Sequence, residues 1–494
     1  MRTVLALDLG STQLKCMLMD AEARILDTVT RGYPTYVPRP GWIEQKPADW
    51  EKAMKEGLSE LLGKHPEVEI CAVGFSGHMS GTVLLDRNGQ VLRNCIMLSD
   101  SRSDEECRLL EKTAGDRICF HTGNAVINAF SLPKLLWIKR HEVGIWEETT
   151  AWISPKDYLR YLLTDRIATE FTDAYNSLCI DNKTADWCEE IIAASGLERY
   201  KFPEVLTPVT IAGQVTEEAS EKYGLPVGIP VSCGGADMAC GAVGTGLFET
   251  GDTALTLGTC ATYLAVVPKV EREGFGKVTF HMHALPGLLY ALGSHFNGGQ
   301  AVNWLTQTMM PDGSLDYSEI AKLSREAEEI PAGCGGLVTI PFLAGSGSPY
   351  FDADDTQSVI GINMATSRAA LLKSEIEGIT VNLDETRQLF ERIVPGGIRR
   401  TLLGGGGVKI GIWPQIIADA FGVSLSLISN ADASTVGAAF LAGMAVGLFS
   451  DIEKTVKGSL NISSRLEPDA DRHAVYKQLA SRYHRLYEAV KELR

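Results

Sequence analysis

Two distant segments of the chain follow the same plan, and this duplication constrains the fold more than any other feature. Residues 5–20, "LALDLGSTQLKCMLMD", read as an apolar strand, a turn of glycine and small hydroxyl residues, and a second apolar strand. Residues 255–268, "LTLGTCATYLAVVP", repeat that order. Self-similarity at such a distance predicts two halves built on one plan. We place the boundary near residue 247, which gives an N-terminal domain of residues 1–247 and a C-terminal domain of residues 248–494.

Strands and helices alternate between and beyond these segments, which is typical of an α/β fold. Three short strands open the chain as a meander, a helix is predicted over Pro47–Leu62, and "EICAVGFSGH" reads as a further buried strand. The strongest helical periodicity covers Arg368–Val394, and a similar apolar stripe runs from Tyr476 to Leu493. We interpret these last two helices as packing elements without chemistry of their own.

The composition describes a folded, acidic protein. The chain has 494 residues, 45% of them hydrophobic, and a formal net charge of −16 from 46 Lys and Arg against 62 Asp and Glu. The apolar fraction is ample for a buried core and argues against general disorder. The acidic balance argues against a nucleic-acid partner, because such binding depends on clustered Lys and Arg.

Neither a membrane span nor an export signal is expected. The most apolar stretch, Ala433–Phe449, has 17 residues and is rich in glycine and alanine, so it is too short and too small-residued to span a bilayer. Asp8 interrupts the first apolar run, where a secretory signal needs an unbroken one. The 11 cysteines are an odd number without CxxC spacing, a usage typical of reduced thiols. We therefore expect a cytoplasmic protein with no membrane partner.

Glycine-containing turns supply the candidate chemistry, although none is a common nucleotide signature. The sequence has no GxxxxGK[ST], strict GxGxxG, GxSxG or protein-kinase motif. P-loop NTPases, standard dinucleotide enzymes, α/β-hydrolases and protein kinases are therefore not the first interpretations.

The N-terminal turn carries groups that suit a polyphosphate and its metal ion. Glycine lets the backbone approach a ligand, hydroxyl and N–H groups donate to phosphate, and a carboxylate can hold Mg²⁺ through water. These residues are Asp8, Gly10, Ser11, Thr12 and Lys15. The C-terminal turn offers Gly258 and Thr259 in the same places. The alternative is a pair of ordinary hairpin turns.

Asp237 is the candidate proton acceptor. It follows the strand and glycine pair of "VSCGGAD" and precedes small residues at helical spacing. At the start of a helix, the dipole favours the ionised carboxylate, so this spacing predicts a weak base. Phosphoryl transfer tolerates a weak base, because the proton leaves the alcohol late. The alternative is a plain helix N-cap.

Two further units could hold a substrate and a nucleotide base. The first contains donors, acceptors and one apolar contact, the mixture that a polyhydroxylated substrate requires: His78, Met79, Ser80, Asp100 and Arg102. A polar loop beside a solvated helix start is its alternative. The second is the glycine run Gly404–Gly407 before a helix that Pro414 could open. Such a run admits a flat ligand such as adenine, and a flexible linker is the alternative.

In this order the units resemble the FGGY carbohydrate kinase family, and within it the xylulokinases most closely. The resemblance runs along nearly the whole chain through "ALDLGSTQLK", "GWIEQKPADW", "GFSGHMSG", "SDSR", "GGADMACGAVG", "LTLGTCA" and "LLGGGGVK". It implies an α/β fold of two actin-like, ribonuclease H-like domains around a central cleft. The N-terminal domain would bind the sugar and supply the catalytic base, and the C-terminal domain would bind most of the ATP.

The resemblance also implies individual roles. Asp237 matches the general base, which also contacts the sugar, and Asp8 matches the carboxylate linked to Mg²⁺. The sugar would be bound by His78, Met79, Ser80, Asp100 and Arg102. ATP would be bound by Gly10, Ser11, Thr12, Lys15, Gly258, Thr259, Gly405, Gly406 and Gly407. The expected partners are a small sugar and ATP, and a homodimer is compatible with the family.

The expected reaction is transfer of the ATP γ-phosphoryl group to a hydroxyl of a ketose, with D-xylulose as the first choice. Three departures from the family pattern bear on the sugar. His78 and Ser80 stand where "QMHG" has Gln and His, Leu98 replaces an aromatic residue, and the family's "GERxP" is Gly345–Pro349, without Glu and Arg. Ribulose, erythritol, gluconate or a similar acceptor is therefore the alternative. A non-catalytic sugar sensor and an actin-like ATPase are the alternatives from other classes.

Overall fold

The structure, a computed structural model, describes residues 1–310, 313–429 and 432–494. Its contacts divide the chain into two compact units. The first unit consists of Met1–Phe248, Phe280–Leu289 and Asp432–Leu460. The second consists of Glu249–Thr279, Tyr290–Ala431 and Asn461–Arg494. Two late segments of the sequence thus fold with the first unit, although the division of the chain after residue 247 stays a prediction.

The strands range from two to nine residues, and the longest ones build two large sheets. In chain order they are β1 (Arg2–Leu9), β2 (Gln13–Asp20), β3 (Ile25–Gly32), β4 (Glu44–Gln45), β5 (Glu69–Gly77), β6 (Val83–Leu85), β7 (Cys95–Ile96), β8 (Ala151–Ile153), β9 (Thr169–Glu170), β10 (Ile180–Asp181), β11 (Asp186–Trp187), β12 (Val205–Leu206), β13 (Ile211–Gln214), β14 (Pro230–Ser232), β15 (Gly235–Ala236), β16 (Asp252–Leu257), β17 (Ala261–Val267), β18 (Thr279–Met282), β19 (Leu289–His295), β20 (Val338–Ile340), β21 (Ser358–Ile360), β22 (Arg400–Gly404), β23 (Leu425–Ile428) and β24 (Ile462–Leu466).

The helices alternate with these strands, as the periodicity predicts. In chain order they are α1 (Pro47–Lys64), α2 (Asp104–Thr122), α3 (Ser131–His141), α4 (Val143–Glu148), α5 (Pro155–Thr164), α6 (Phe171–Tyr175), α7 (Glu189–Ser195), α8 (Glu217–Tyr223), α9 (Asp237–Gly244), α10 (Gly299–Met309), α11 (Tyr317–Glu328), α12 (Arg368–Ile393), α13 (Trp413–Phe421), α14 (Ala433–Ala445), α15 (Ile452–Ser459) and α16 (Ala470–Glu492). The two stripes interpreted as packing helices are α12 and α16.

The first large sheet confirms the predicted opening meander. Its strands lie in the order β13, β14, β5, β1, β2, β3, and β15 also pairs with β5. Strand β1 pairs antiparallel with β2 from Thr3 opposite Asp20 to Leu9 opposite Leu14, and it pairs parallel with β5. Central parallel strands are covered on both faces, so β1 is apolar along nearly its whole length. The carboxyl ends of β1, β5 and β15 therefore meet at one edge of this sheet.

The second large sheet repeats that arrangement around its own hairpin. Its strands lie in the order β18, β19, β17, β16, β22, β23, β24. Strand β16 pairs antiparallel with β17, and Leu257 lies opposite Ala261 at the turn. On its other side β16 pairs parallel with β22, as β1 does with β5. The duplicated strand, turn and strand plan is thus present in both sheets.

Helix α14 is built from the small-residue stretch and lies inside the first unit. It packs against α9, β5 and β1, and Ala438–Ala442 are fully buried. The approach is close, because a Cβ atom on Gly437 would lie 1.9 Å from the carbonyl oxygen of Cys240. Across the described parts of the chain, no helix has both the length and the apolar character needed to cross a membrane.

Candidate active site

Three polar side chains follow or end neighbouring strands of the first sheet. Asp8 lies one residue before the end of β1 and opposite Ser76 of β5. His78 directly follows β5, and its backbone N–H donates to the carbonyl of Leu9 at 2.8 Å. Asp237 directly follows β15, which pairs with the last residues of β5. Because the carboxyl ends of parallel strands are where open α/β sheets bind ligands, we treat this edge as the candidate active site.

Asp237 is the first residue of α9, and Ala236 occupies the N-cap position, so the N-cap alternative is wrong. Its Oδ1 atom accepts a hydrogen bond from the backbone N–H of Met238 at 2.7 Å. Burial and, to a smaller extent, the negative charge of Asp8 together raise the pKa of the Asp237 carboxyl to about 7, although the Met238 hydrogen bond opposes both. The expectation that the helix start favours the ionised form and makes Asp237 a weak base is therefore wrong, because desolvation outweighs the helix dipole.

A hydrogen-bonded chain fixes the backbone just before Asp237. The N–H of Ala236 donates to Thr172 Oγ1 at 2.8 Å, and that hydroxyl donates to Glu170 Oε1 at 2.8 Å. Behind them lies Lys156, with its Nζ atom 3.3 Å from Glu170 Oε1 and 3.0 Å from Asp173 Oδ2. All of these side chains are buried. These buried residues were not predicted from the sequence, where their signal is charge inside apolar segments such as "SPKDYLRYLLT".

Asp8 has one occupied and one free carboxylate oxygen. Its Oδ2 atom accepts hydrogen bonds from Ser434 Oγ at 2.7 Å and Thr435 Oγ1 at 2.9 Å, at the start of α14. Its Oδ1 atom is buried and has no hydrogen-bond partner among the described residues. A free carboxylate oxygen fits a hard divalent cation. Ser434 and Thr435 were not predicted as site residues, because the composition of their segment, rich in glycine and alanine, gives no sign of a role at Asp8.

A cation at Asp8 would take most of its ligands from outside the protein. Within residues 1–310, 313–429 and 432–494, no three His, Cys, Asp or Glu side chains are grouped so that they could hold a metal ion. Mg²⁺ keeps several waters and binds phosphate oxygens in sites of this kind. The donor set therefore fits a metal ion that arrives with a phosphate ligand.

The hairpin turn after β1 is exposed, as a ligand-binding turn requires. Ser11 and Thr12 are exposed and Gly10 is half-buried. Lys15 lies on β2, and its Nζ atom forms an ion pair of 2.6 Å with Asp432 Oδ1, just before α14. The predicted phosphate cation is thus paired with a carboxylate. Its charge is therefore partly neutralised within the first unit.

Asp100 and Arg102 lie together as a buried ion pair. Asp100 Oδ2 accepts from Arg102 Nη2 at 2.7 Å and from the backbone N–H of Ile43 at 2.5 Å. Arg102 Nη1 also lies 2.8 Å from Glu44 Oε1, and its guanidinium lies 3.9 Å from the ring centroid of Trp42. The positive charge of Arg102 is therefore shared between two carboxylates and an aromatic face.

His78 presents uncommitted polar atoms, whereas Ser80 does not. The His78 ring is buried beside Trp50, with ring centroids 5.6 Å apart, and neither ring nitrogen has a partner among the described residues. Burial lowers the pKa of His78 to about 4, so the imidazole is neutral near pH 7 and offers one donor and one acceptor. The Ser80 hydroxyl donates to the carbonyl of Asn176 at 3.3 Å. Met79 is half-buried between them.

The glycine loop after β22 packs on the end of β16, so the flexible-linker alternative is wrong. A Cβ atom on Gly405 would lie 2.4 Å from the Leu257 carbonyl oxygen, and one on Gly407 would lie 2.7 Å from Leu257 Cβ. A Cβ atom on Gly406 would meet nothing within 4 Å. Packing therefore requires glycine at 405 and 407. Gly405 and Gly406 are both exposed, and Gly406 is the one with open space where its Cβ atom would be.

The predicted nucleotide residues of the second unit lie on the same strand end. Gly258 and Thr259 form the turn after β16, next to Leu257, against which the glycine loop packs. The carbonyl of Gly258 accepts from Gly299 N–H at 2.8 Å, and that of Thr259 accepts from Gln300 N–H at 3.0 Å. Both donors belong to the first turn of α10. The first turn of α10 thus holds the carbonyl groups of this hairpin turn.

Sequence comparison assigns both halves of the chain to one family. Residues 3–244 match the profile of the FGGY family of carbohydrate kinases, N-terminal domain, and residues 253–446 match its C-terminal domain. Together the two matches cover most of the chain. Each match contains one copy of the duplicated strand, turn and strand, at residues 5–20 and 255–268.

Similar proteins cover the chain from end to end. The xylulose kinase of Bacillus subtilis is 32% identical over 495 residues, which is 100% of this chain and 98% of the relative. The xylulose kinase of Staphylococcus epidermidis is 31% identical over 99% of this chain and 97% of the relative. The crystal structure of xylulose kinase from Rhodospirillum rubrum superposes with a TM-score of 0.93 at 26% identity, covering 100% of this chain and 99% of that one. The expected two-domain α/β fold is confirmed, and the chain belongs to the FGGY family of carbohydrate kinases.

Proposed function

We propose that this carbohydrate kinase transfers the γ-phosphoryl group of ATP to a hydroxyl of D-xylulose, which gives D-xylulose 5-phosphate. The observation that carries the chemistry is Asp237, a carboxyl with a pKa raised to about 7 at the edge where β1, β5 and β15 end. A proton acceptor works best when its pKa lies near the working pH. The choice of D-xylulose is supported by the names of the full-length relatives.

The reaction needs one proton acceptor and little other covalent chemistry. The sugar oxygen bonds to the γ-phosphorus, the bond from that phosphorus to the β–γ bridging oxygen breaks, and ADP leaves. The hydroxyl proton passes to Asp237. Because Met238 N–H occupies Oδ1 of Asp237, Oδ2 is the atom that receives it. The Ala236 to Thr172 bond holds the carboxylate in place for this step.

Negative charge on the phosphates would be met by backbone N–H groups, by Lys15 and by Mg²⁺ held at Asp8. The N–H and hydroxyl groups of Ser11 and Thr12 would donate to phosphate oxygens, and Lys15 would add a cation nearby. Asp8 would hold Mg²⁺ through its free Oδ1 atom, directly or through water. Mg²⁺, when bound, neutralises charge that develops on the phosphates.

The second unit would bind the rest of the nucleotide. Gly258 and Thr259 would contact phosphate from the turn after β16. Gly405, Gly406 and Gly407 would line the adenosine, with Gly406 making the closest backbone approach, because nothing lies within 4 Å of where its Cβ would be.

The candidate sugar residues favour a neutral acceptor over a sugar acid. A sugar carboxylate needs a free cation, and the Arg102 charge is already paired with Asp100 and Glu44. The neutral His78 imidazole offers a donor and an acceptor to hydroxyl groups. Met79 and Ser80 would complete the contacts. D-Xylulose meets these requirements, ribulose and erythritol are neutral alternatives, and gluconate is disfavoured.

The substrate choice is tested by ADP release measured with a panel of acceptors. Ketopentoses, ketohexoses, polyols and sugar acids are compared by kcat/KM, with the rate without acceptor as the control. We expect D-xylulose to give the highest value and gluconate to fall at least about 100-fold below it, because Arg102, the cation among the candidate sugar residues, is already paired with Asp100 and Glu44 and would leave the sugar carboxylate unpaired. If a sugar acid or a tetritol gave the highest kcat/KM, the assignment of D-xylulose would be rejected.

We also infer a cytoplasmic enzyme that can form a homodimer and has no nucleic-acid partner. No disulfide joins any of the 11 cysteines, all of which lie in the described residues, and seven of them are buried, as expected of reduced thiols. The net charge of −16 supports the absence of a nucleic-acid partner.

A further inference from the structure

Every carbonyl of the hairpin turn at Gly10–Thr12 is held by a donor from the protein. The carbonyl of Gly10 accepts from the Tyr33 hydroxyl. The carbonyl of Ser11 accepts from Gln45 Nε2 at 2.7 Å. The carbonyl of Thr12 accepts from the backbone N–H of Tyr33 at 3.3 Å. Tyr33 directly follows β3, and Gln45 ends β4 just before α1.

These bonds determine where the N–H groups of the turn point. In a trans peptide, the C=O of one residue and the N–H of the next lie in one plane and point in opposite directions. Holding the carbonyls of Gly10 and Ser11 therefore directs the N–H groups of Ser11 and Thr12 to the other side. Both residues are exposed, and among the described residues neither N–H has an acceptor. Two adjacent free N–H groups form a site for an anion.

The orientation of the Gln45 amide is itself fixed. Gln45 is buried, its Nε2 atom also donates to Thr35 Oγ1 at 2.8 Å, and its Oε1 atom accepts from the Trp50 indole N–H at 2.9 Å. Rotating the amide by half a turn would face Oε1 toward the Ser11 carbonyl, which is also an acceptor, and Nε2 toward the indole donor. Since indole only donates and a carbonyl only accepts, one orientation satisfies all three partners.

The second unit holds its own turn in the same way with different groups. There the carbonyls of Gly258 and Thr259 accept from the backbone N–H groups of Gly299 and Gln300 at 2.8 and 3.0 Å. The same peptide geometry directs the N–H groups of Thr259 and Cys260 away from α10. Both hairpin turns thus have carbonyls that accept hydrogen bonds from the protein. The donors are the start of α10 in the second unit, and two side chains and the backbone N–H of Tyr33 in the first.

We propose that Gln45 and Tyr33 are positioning residues, which act through the turn to hold the N–H groups of Ser11 and Thr12 toward the β- and γ-phosphates of ATP. The inference rests on the proposed nucleotide site and not on the identity of the sugar. It goes beyond that site because neither side chain touches the nucleotide. Their effect should therefore depend on the phosphate chain of the ligand.

Calorimetric binding of a non-hydrolysable ATP analogue and of AMP, each with Mg²⁺, tests this directly. Gln45→Met removes both amide donors at similar length, and we expect it to weaken analogue binding about tenfold while AMP binding changes less than about twofold, because one hydrogen bond to the turn is lost. Tyr33→Phe removes one hydroxyl, and it should weaken analogue binding a few-fold with the same selectivity. Thr35→Val is the matched control: it deletes the other Nε2 partner without touching the turn, and both ligands should bind as in the wild type.

An equal loss for AMP and the analogue would mean that Gln45 only supports the structure of the unit, and it would overturn the proposal. Wild-type analogue affinity in both Gln45→Met and Tyr33→Phe would do the same. A urea midpoint for each variant separates unfolding from altered binding, and Tyr33→Phe carries the test if Gln45→Met unfolds. Failure of the sugar assignment would appear instead in the wild-type acceptor panel, where these variants play no part.

Discussion

At the scale of single residues, Asp237 shows how its surroundings can outweigh a local rule. The start of a helix stabilises a carboxylate by roughly 0.3–1 kcal/mol, whereas removing a carboxyl from water can raise its pKa by several units. Here burial and the charge of Asp8 raise the pKa of Asp237 to about 7 despite the Met238 hydrogen bond. The residue that local sequence marks as a weak base is therefore a good one near neutral pH.

This pKa predicts an acid limb in the activity profile. Only the ionised Asp237 can accept a proton, and a pKa near 7 leaves about a tenth of it ionised at pH 6. We expect kcat/KM for the sugar to rise with pH through about 7 and to level off above it. The profile is measured by direct ADP quantification, so that coupling enzymes do not set the limb. A limb centred near pH 4 would show that Asp237 keeps an ordinary pKa in the working enzyme.

At the scale of elements, helix α14 carries small residues because it approaches its neighbours at backbone distance. Gly437 lies where any Cβ atom would come within 1.9 Å of the Cys240 carbonyl oxygen on α9. The same helix presents Ser434 and Thr435 to Asp8 at its start. A composition that resembles a poor membrane segment thus serves close helix packing, and the packing places two donors at the candidate active site.

Gly437→Ala should destabilise the protein by about 1–3 kcal/mol, because the added methyl group has no space and the helix must shift. The matched control is Gly458→Ala in α15, where a Cβ atom would meet nothing within 4 Å; alanine there should be neutral or stabilising by up to about 1 kcal/mol. Urea unfolding midpoints measure both changes. Equal stability of the two variants would contradict the packing role of Gly437.

At the scale of the whole molecule, local periodicity is enough to predict several elements that the structure contains. These are the opening meander, helix α1, strand β5 and the long helices α12 and α16. It was also enough to pair two hairpins 250 residues apart by their shared plan. It could not show that Phe280–Leu289 and Asp432–Leu460 fold with the first unit, because that association is made by tertiary packing. For the same reason, periodicity does not predict the hydrogen-bond partners of the site. Ser434 and Thr435 reach Asp8, and Thr172 and Glu170 hold the backbone before Asp237, through tertiary packing.

The site residues also differ in whether their role depends on local sequence or on tertiary contacts. Asp8, His78 and Asp237 are predictable because each lies at or directly after the end of a strand, and strand ends are visible in a sequence. Gln45 lies in "GWIEQKPADW", which the sequence analysis used only for family resemblance. Its role depends on the three hydrogen bonds around its amide. They join it to Ser11 in the turn, to Thr35 in the segment after β3 and to Trp50 in α1.

The most direct test of the account is the sugar-dependent rate of Asp237→Asn, measured beside nucleotide affinity. We expect kcat for ADP formation to fall roughly 10²–10⁴-fold, the range for losing a general base, while the ATP analogue binds within about twofold of wild type. Asp104→Asn is the control, because Asp104 is also the first residue of a helix, α2, and is exposed; it should keep full activity. Turnover by Asp237→Asn within about tenfold of the wild-type rate would contradict the assignment of Asp237 as the proton acceptor.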